Sequence, residues 1–476
     1  MNRTRQSDYL KEAKPLLKRL LAKLLETYPY ASILACDSES RTYRVAKSGI
    51  QISDDARLGT RGFCVKAFDG HGYCEHAFTA ISEKNIPQII AEVETLVKSC
   101  ATMPEGLSRS EYSPLSDEEA VFSKSSEYEI DPATMPEEEI IRQLTEITQK
   151  GYRLDNRILA CNAYYDWQCT HKLFLSKNRD MEQNLLWSTG NIVAVARRGQ
   201  EVKNAYEGFS GACGGELLNK MSDSIAKVVQ DTIDLLDSSP IVPGEYDCIC
   251  SPTVTGMIVH EAFGHGVEMD MFVKDRALAK EYIGKRVASD LVTMHDGASA
   301  ASEMGSYFFD DEGVVAKDTV VIRNGILERG ISDSQSAMIL GTEPTANGRR
   351  ESFARKAYTR MTNTFFEGGH DRVEDMIASI EDGYLLDCPA SGMEDPKNWG
   401  IQCMVSIARE IKGGKLTGKV CSPIVLTGYV PSLLQSISMM SENVELCGSG
   451  MCGKGYKEWV RVSDGGPYIK AKIRLG

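Results

Sequence analysis

Two histidines and a glutamate stand together in MIVHEAFGHGVEMD, as His260, Glu261 and His265 in the pattern HExxxH. With seven histidines in 476 residues, chance alone accounts poorly for this grouping. Imidazole nitrogens are natural Zn²⁺ ligands, and a Glu beside the first of them can take the proton of a water that attacks a carbonyl. A regular helix would splay the pair. Positions five apart lie about 140° from each other around an α-helix, whereas the four-residue spacing of HExxH leaves about 40°. The segment is therefore expected to widen into a π-bulge or to leave the helix between the histidines, and Gly264 and Gly266 supply permissive backbone for either. The plain alternative is that His260 packs in a core and His265 caps a helix end.

Two imidazoles do not complete a catalytic zinc site, which has three protein ligands and an open position. Candidates for the third are Glu268, Asp270, His295, Asp310, Asp311 and a cysteine. Cys452 stands in the glycine-rich string GSGMCGKG, where flanking glycines allow the close backbone approach that a ligand from the far end of the chain needs. Spacing alone leaves it one candidate among several.

The elements that must position these groups can be read around them. Leu10, Leu16, Leu17, Leu20, Leu21, Leu24 and Leu25 recur at helical spacing, so the chain opens with an amphipathic helix. TYRVAKSGIQ, RGFCVKAF and HGYCEHAFTA alternate as strands, with a hairpin turn at Asp69 and Gly70. Residues 101 to about 133 are rich in Pro, Ser and Glu and predict a long surface connection. A helix follows at 136–151, then three strand-like runs (RILACNAYYDWQ, THKLFLS, NLLWSTGNIVAVARRG) and a helix in ELLNKMSDSIAKVVQDTIDLLD that ends at Ser238, Ser239 and Pro240. Beyond it lie a helix-compatible segment over 253–265 and many short apolar runs separated by Gly, Asn-Gly and Asp-Gly, including VVIRNGILERG. The pattern has no repeat and no βαβ alternation, which disfavours a doubly wound parallel sheet. The expected fold is α+β in two domains: residues 1–239 with an antiparallel sheet and helices, and residues 240–476, β-rich and carrying the metal-site helix.

Composition narrows the function. Hydrophobic residues are 42% and charged residues 25% of the chain, ordinary globular usage, and the length exceeds what one core usually supports. The excess of 67 Asp+Glu over 54 Lys+Arg gives a net charge of −13, the wrong sign for direct nucleic-acid binding. No apolar run is long enough to span a membrane and the N-terminus has no apolar h-region, so the chain is expected to be cytoplasmic. The 14 cysteines lack a disulfide-scaffold spacing, which suits a reducing compartment.

Several strings together resemble the TldD/PmbA family, specifically its TldD-type members that keep HExxxH. They are HEAFGHGVEMD, PTANGRRESF, RMTNTF, the NGIL turn, the late SISM segment and GMCGKG, with RGFCVKAF and HGYCEHAF in the first half. The resemblance spans nearly the whole chain. It implies a zinc peptidase with one Zn²⁺ per chain on His260, His265 and Cys452 and with Glu261 as general base. It also implies extended or unfolded peptides as substrates, and a homodimer or a heterodimer with a PmbA-type (TldE) subunit. Family members are also called modulators of DNA gyrase, which the acidic charge does not read as DNA binding. One departure stands out: CPASGMEDPKNWGIQC occupies the place of the family's glycine-rich run, which bears on groove shape and peptide preference.

Other signals are discounted. GSGMCG matches G-x-G-x-x-G, yet too little chain follows for a Rossmann unit. Cys248 with Cys250, and His71 with His76, read as ordinary strand or hairpin residues. The basic string GRRESFARKAYTR would ordinarily be a solvated face; the resemblance of PTANGRRESF shifts Arg349 and Arg350 toward pairing a substrate carboxylate. Two rival functions stay open: a binding or regulatory subunit whose metal is structural, and a cysteine hydrolase using Cys452 with a histidine.

Overall fold

The computed structural model describes residues 1–54, 60–101, 112–455 and 457–476. Ser7 caps the opening helix, Asp8–Leu25, by accepting a hydrogen bond from the Leu10 amide, and Leu10, Leu17, Leu20, Leu21 and Leu24 form its buried stripe. The stripe packs on an eight-stranded sheet ordered Glu201–Gly211, Arg179–Arg198, Ile158–Leu175, Tyr30–Ala46, Arg61–Phe68, Tyr73–Phe78. Gly49–Ser53 pairs with Tyr30–Ala46, and Ala120–Ser125 joins parallel to Arg179–Arg198. Helices Ile86–Ala101, Glu137–Leu154 and Leu217–Leu236 complete the cover of the helical face. Other side chains of the same strands, Leu34, Cys36, Phe174 and Met181, meet Phe309 from the second half of the chain.

The fold is α+β, as expected, with local differences. RILACNAYYDWQ and THKLFLS form one strand, Ile158–Leu175, in which every residue from Tyr165 to His171 is buried, because helices cover one face and the second half covers the other. Part of the predicted surface connection is strand: Ala120–Ser125 takes a place in the sheet, while residues 102–111 lie outside those described. Helix Ile86–Ala101 and edge strand Glu201–Gly211 are additional elements.

In the second half, Gly244–Cys250 pairs in parallel with Asp382–Asp395 and antiparallel with Ile469–Leu475, which closes a seven-stranded sheet on itself. A six-stranded sheet lies beside it, ordered Ile326–Leu327, Thr319–Arg323, Met294–Asp296, Asn363–Phe366, Ser463–Gly466, Glu445–Cys447. The NGIL turn is a two-residue hairpin with φ of 47° at Asn324 and 80° at Gly325, the positive values that a primed turn requires. The histidine segment is part of the core that both sheets share, through Val254, Ile258, Val259, Ala262 and Phe263. Among the described residues no helix is long and apolar enough to cross a membrane.

Charged pairs clamp the two halves together: Lys66 with Glu312 at 2.6 Å, Lys172 with Asp311, Arg461 with Asp166 at 2.7 Å, and Arg350 on both oxygens of Glu75 at 2.8 and 2.5 Å. Burial pushes the Glu75 carboxyl up, but Lys66 and Arg350 outweigh it and hold the group at about 2. Because the folded value is depressed, this contribution to stability is present above the ordinary Glu value of about 4.3 and is lost as pH falls toward 2. Arg350→Ala leaves Glu75 without its fork and is expected to lower stability by about 2 kcal/mol in chemical denaturation at neutral pH, with a smaller difference near pH 3.

Candidate metal centre

Ser251 and Pro252 start a short helix, Pro252–Met257, with the proline at the first turn where its missing N–H costs nothing. The helix then widens into a π-helical stretch, Ile258–Gly264, and ends in a tight turn, His265–Val267. The His265 amide donates to the His260 carbonyl, an i→i+5 bond that brings residues five apart nearly into line. Their rings lie 5.0 Å apart between centroids and 87° to each other. The widening expected from HExxxH is therefore present.

The reason for glycine differs from the expectation of conformational freedom. Gly264 has φ −58°, ordinary for a helix, but a Cβ there would sit 2.3 Å from Met361 Sδ and 3.2 Å from the Val259 carbonyl. Glycine is required for closeness. Gly264→Val, a β-branched intruder, is expected to push the π-turn away from Met361 and to weaken zinc binding about tenfold or more, measured by competition with a chromogenic chelator. Unchanged affinity would show that the turn tolerates the bulk.

Cys452 arrives on a two-stranded hairpin, Met451–Lys454 with Lys457–Arg461. Its sulfur lies 3.4 Å from His265 Nε2, and the ligand atoms of His260, His265 and Cys452 all fall within 4.8 Å of one another. Burial raises the Cys452 thiol, yet the two histidines override it and bring it to about 5, so the sulfur is held near its thiolate form. The guanidinium of Arg360, fully buried, donates to the same sulfur at 3.0 Å. Behind the rings, Asp464 Oδ2 lies 3.6 Å from His260 Nδ1 and Glu268 Oε2 lies 3.6 Å from His265 Nδ1. The carboxylates thus face the Nδ1 side of each ring and leave each Nε2 for a ligand. Lys454 in turn binds Glu268 at 2.9 Å and Asp270 at 2.7 Å. Two imidazoles and a thiolate-prone sulfur on one point suit a borderline-soft divalent ion such as Zn²⁺.

The remaining third-ligand candidates lie elsewhere or behind the site. Glu268 and Asp270 are occupied by Lys454, and Glu268 stands on the far side of His265. His295 is held between Asp318 and Glu367, 2.7 Å from each, and Asp310 and Asp311 belong to the seam between the halves. Among the described residues two other groups have ligand-like spacing: Glu39, Cys169 and His171, and Asp231, Asp387 and Cys388.

Glu261 is placed by the departing segment CPASGMEDPKNWGIQC. That segment forms the end of the hairpin of Asp382–Asp395 with Gly400–Lys412, whose buried Trp399 packs at a tilt against Phe263 at 6.0 Å and Tyr282 at 4.6 Å between ring centroids. The hairpin thus lies over the histidine segment. A Cβ on Gly392 would stand 2.3 Å from Glu261 Cγ, so this glycine makes room for the carboxylate; Glu394 similarly lies against Gly266. Arg349 and Arg350 flank the seam between the halves, Arg350 clamping Glu75 and Arg349 donating to the Met361 carbonyl at 2.7 Å. Sequence reading missed Arg360, Asp464, Gly392 and Glu394. Arg360 was inside RMTNTF, but nothing local marks an arginine that will end against a distant sulfur.

Residues 243–474 match the family described as PmbA/TldA metallopeptidase C-terminal domain. The metalloprotease MJ0996 of Methanocaldococcus jannaschii is 27% identical over 458 residues, covering 94% of this chain and 97% of that protein. A metalloprotease TldD homolog of Buchnera aphidicola (subsp. Schizaphis graminum) is 30% identical over 341 residues, 68% of this chain and 69% of that one. The crystal structure of TldE from Thermococcus kodakarensis superposes with TM-score 0.77 at 17% identity, covering 96% of this chain and 100% of that one. A helix opened into a π-turn around HExxxH, met by a cysteine from the end of the chain, is the frame of a metal-dependent hydrolase. The chain belongs to the PmbA/TldD family of metallopeptidases, enzymes that hydrolyse peptide bonds.

Proposed function

We propose that the chain is a zinc-dependent peptidase with domains 1–239 and 240–476, one zinc ion held by His260, His265 and Cys452, and Glu261 as general base. The observation that carries this reading is the convergence of the three ligand atoms within 4.8 Å, with Glu261 beside the first of them. When bound, the ion would polarise the scissile carbonyl and make water a stronger acid. Glu261 takes the proton of the attacking water and later gives it to the leaving amine. Asp464 and Glu268 hold the imidazoles, Arg360 holds the sulfur, and Gly392 leaves Glu261 its space. The substrate is an extended or unfolded peptide, gripped by its backbone as an added strand, so side-chain preference is broad. Likeness to a protein named TldE supports a partner of that type or a second copy of this chain.

The test is metal analysis with peptide cleavage before and after chelation. One zinc per chain is expected, with cleavage lost on its removal and restored by Zn²⁺. A second reading draws on the 3.4 Å approach of Cys452 to His265, which also suits a cysteine nucleophile beside a base. Cleavage that survives complete zinc removal would favour that reading.

A further inference from the structure

The seam between the halves contains a cavity of about 110 Å³ that the metal centre does not use. The first half lines it with Lys172 and Trp187, the second with Arg349 and Arg461 and also with the carboxylates Asp310, Asp311 and Glu351. Its cations are unequal. Lys172 is paired with Asp311, and Arg461 with Asp166 at 2.7 Å, while neighbouring Arg350 grips Glu75. Arg349 has only the Met361 carbonyl at 2.7 Å and the Tyr307 ring, 5.5 Å below its Cζ; among the described residues no carboxylate stands within ion-pair distance of it. Burial lowers its pKa, while Tyr307 and the nearby Asp311 and Asp296 carboxylates pull it up.

Arg349 is half-buried on the cavity wall, and its planar guanidinium fork matches a carboxylate. The cavity shares its walls with the metal centre. Met361, which holds Arg349, packs its sulfur over Gly264, and Met451, next to Cys452, is part of the lining. The volume suits one small acidic group rather than a nucleotide.

We propose that this cavity is a carboxylate pocket, anchored by Arg349, that takes an acidic side chain or the C-terminal carboxylate of a peptide lying at the metal centre. The peptide part rests on the peptidase reading; the pocket itself does not. The test uses zinc-loaded full-length protein with Glu261→Gln, in which turnover is blocked, and calorimetry with four probes: an acetylated neutral hexapeptide amide, the same peptide with a free C-terminus, the amide carrying one internal Glu, and glutarate alone. A free-acid or Glu peptide is expected to bind about tenfold or more tighter than the neutral amide, the size of one charge-assisted bidentate contact. Adding Arg349→Met is expected to erase that preference at unchanged zinc content, and Arg349→Lys to keep part of it. Equal binding of the three peptides to protein with Arg349 intact would overturn the pocket as a substrate site, a result that needs no further variant to fold. Glutarate binding without any carboxylate preference among peptides would overturn the peptide assignment and leave a site for free carboxylates. If no peptide binds, the peptidase reading itself fails, and Arg349-dependent glutarate binding decides the pocket separately.

Discussion

Glu261→Gln is expected to retain bound zinc and to lose peptide hydrolysis by roughly 10² to 10⁴-fold. The amide has the size and shape of the acid, so its Cγ still fits against Gly392, where an added Cβ would come within 2.3 Å. What it lacks is the ability to take a proton. Zinc content should not change, because Glu261 is outside the trio of ligand atoms that converge within 4.8 Å. Elemental analysis and kcat on an unstructured peptide separate the two effects. Gly392→Ala approaches the same carboxylate from outside: it would force Glu261 aside while leaving its chemistry intact, and a smaller loss than in Glu261→Gln is expected. Near-normal turnover of Glu261→Gln with zinc retained would end the role assigned to this residue.

How much of this was legible in the sequence follows from the range of each interaction. The π-turn was, because a five-residue histidine spacing conflicts with helix geometry and the conflict is local. The hairpin at Asn324 and Gly325 was, because two consecutive positive φ values constrain residue type directly. The leucine stripe of Asp8–Leu25 was, because one face is core and the other is wet. The single strand Ile158–Leu175 was not: from Tyr165 to His171 both faces are covered, so the alternation that marks a half-buried strand is missing, and polar Asp166 and Gln168 are buried to meet Arg461. Asp464 reaches His260 because Ser463–Gly466 lies parallel to Asn363–Phe366, a pairing across about a hundred residues that no local pattern announces. Arg360 is the same case, a cation that would ordinarily be read as solvent-facing and is fully buried against a sulfur. The ligands were visible as residue types; the groups that orient them were products of topology.

Cys452→Ala is expected to lose both bound zinc and cleavage, whereas Cys447→Ala keeps both. The cysteines are five residues apart and differ in what the fold does with them. Cys452 faces the histidines, 3.4 Å from His265 Nε2, takes a hydrogen bond from buried Arg360, and has its thiol brought to about 5 by the two imidazoles, against the effect of burial. Cys447 lies on the edge strand Glu445–Cys447, its sulfur 3.5 Å from the Gly208 carbonyl, and burial raises its thiol. A thiolate is a strong zinc ligand and a thiol is a poor one, so the two environments predict opposite consequences for the same substitution. Removing the Cys452 sulfur also takes one buried acceptor from the Arg360 guanidinium and leaves it with Glu268, 3.5 Å from its Nε, which adds to the loss and makes Cys452→Ser, with a hydroxyl in the same place, the milder variant. Chelation then separates the metal role from the nucleophile role. If zinc-free protein with Cys452 intact is inactive and recovers on adding Zn²⁺, the sulfur acts as a ligand; if it still cleaves while Cys452→Ala does not, the sulfur is the nucleophile and His265 its base.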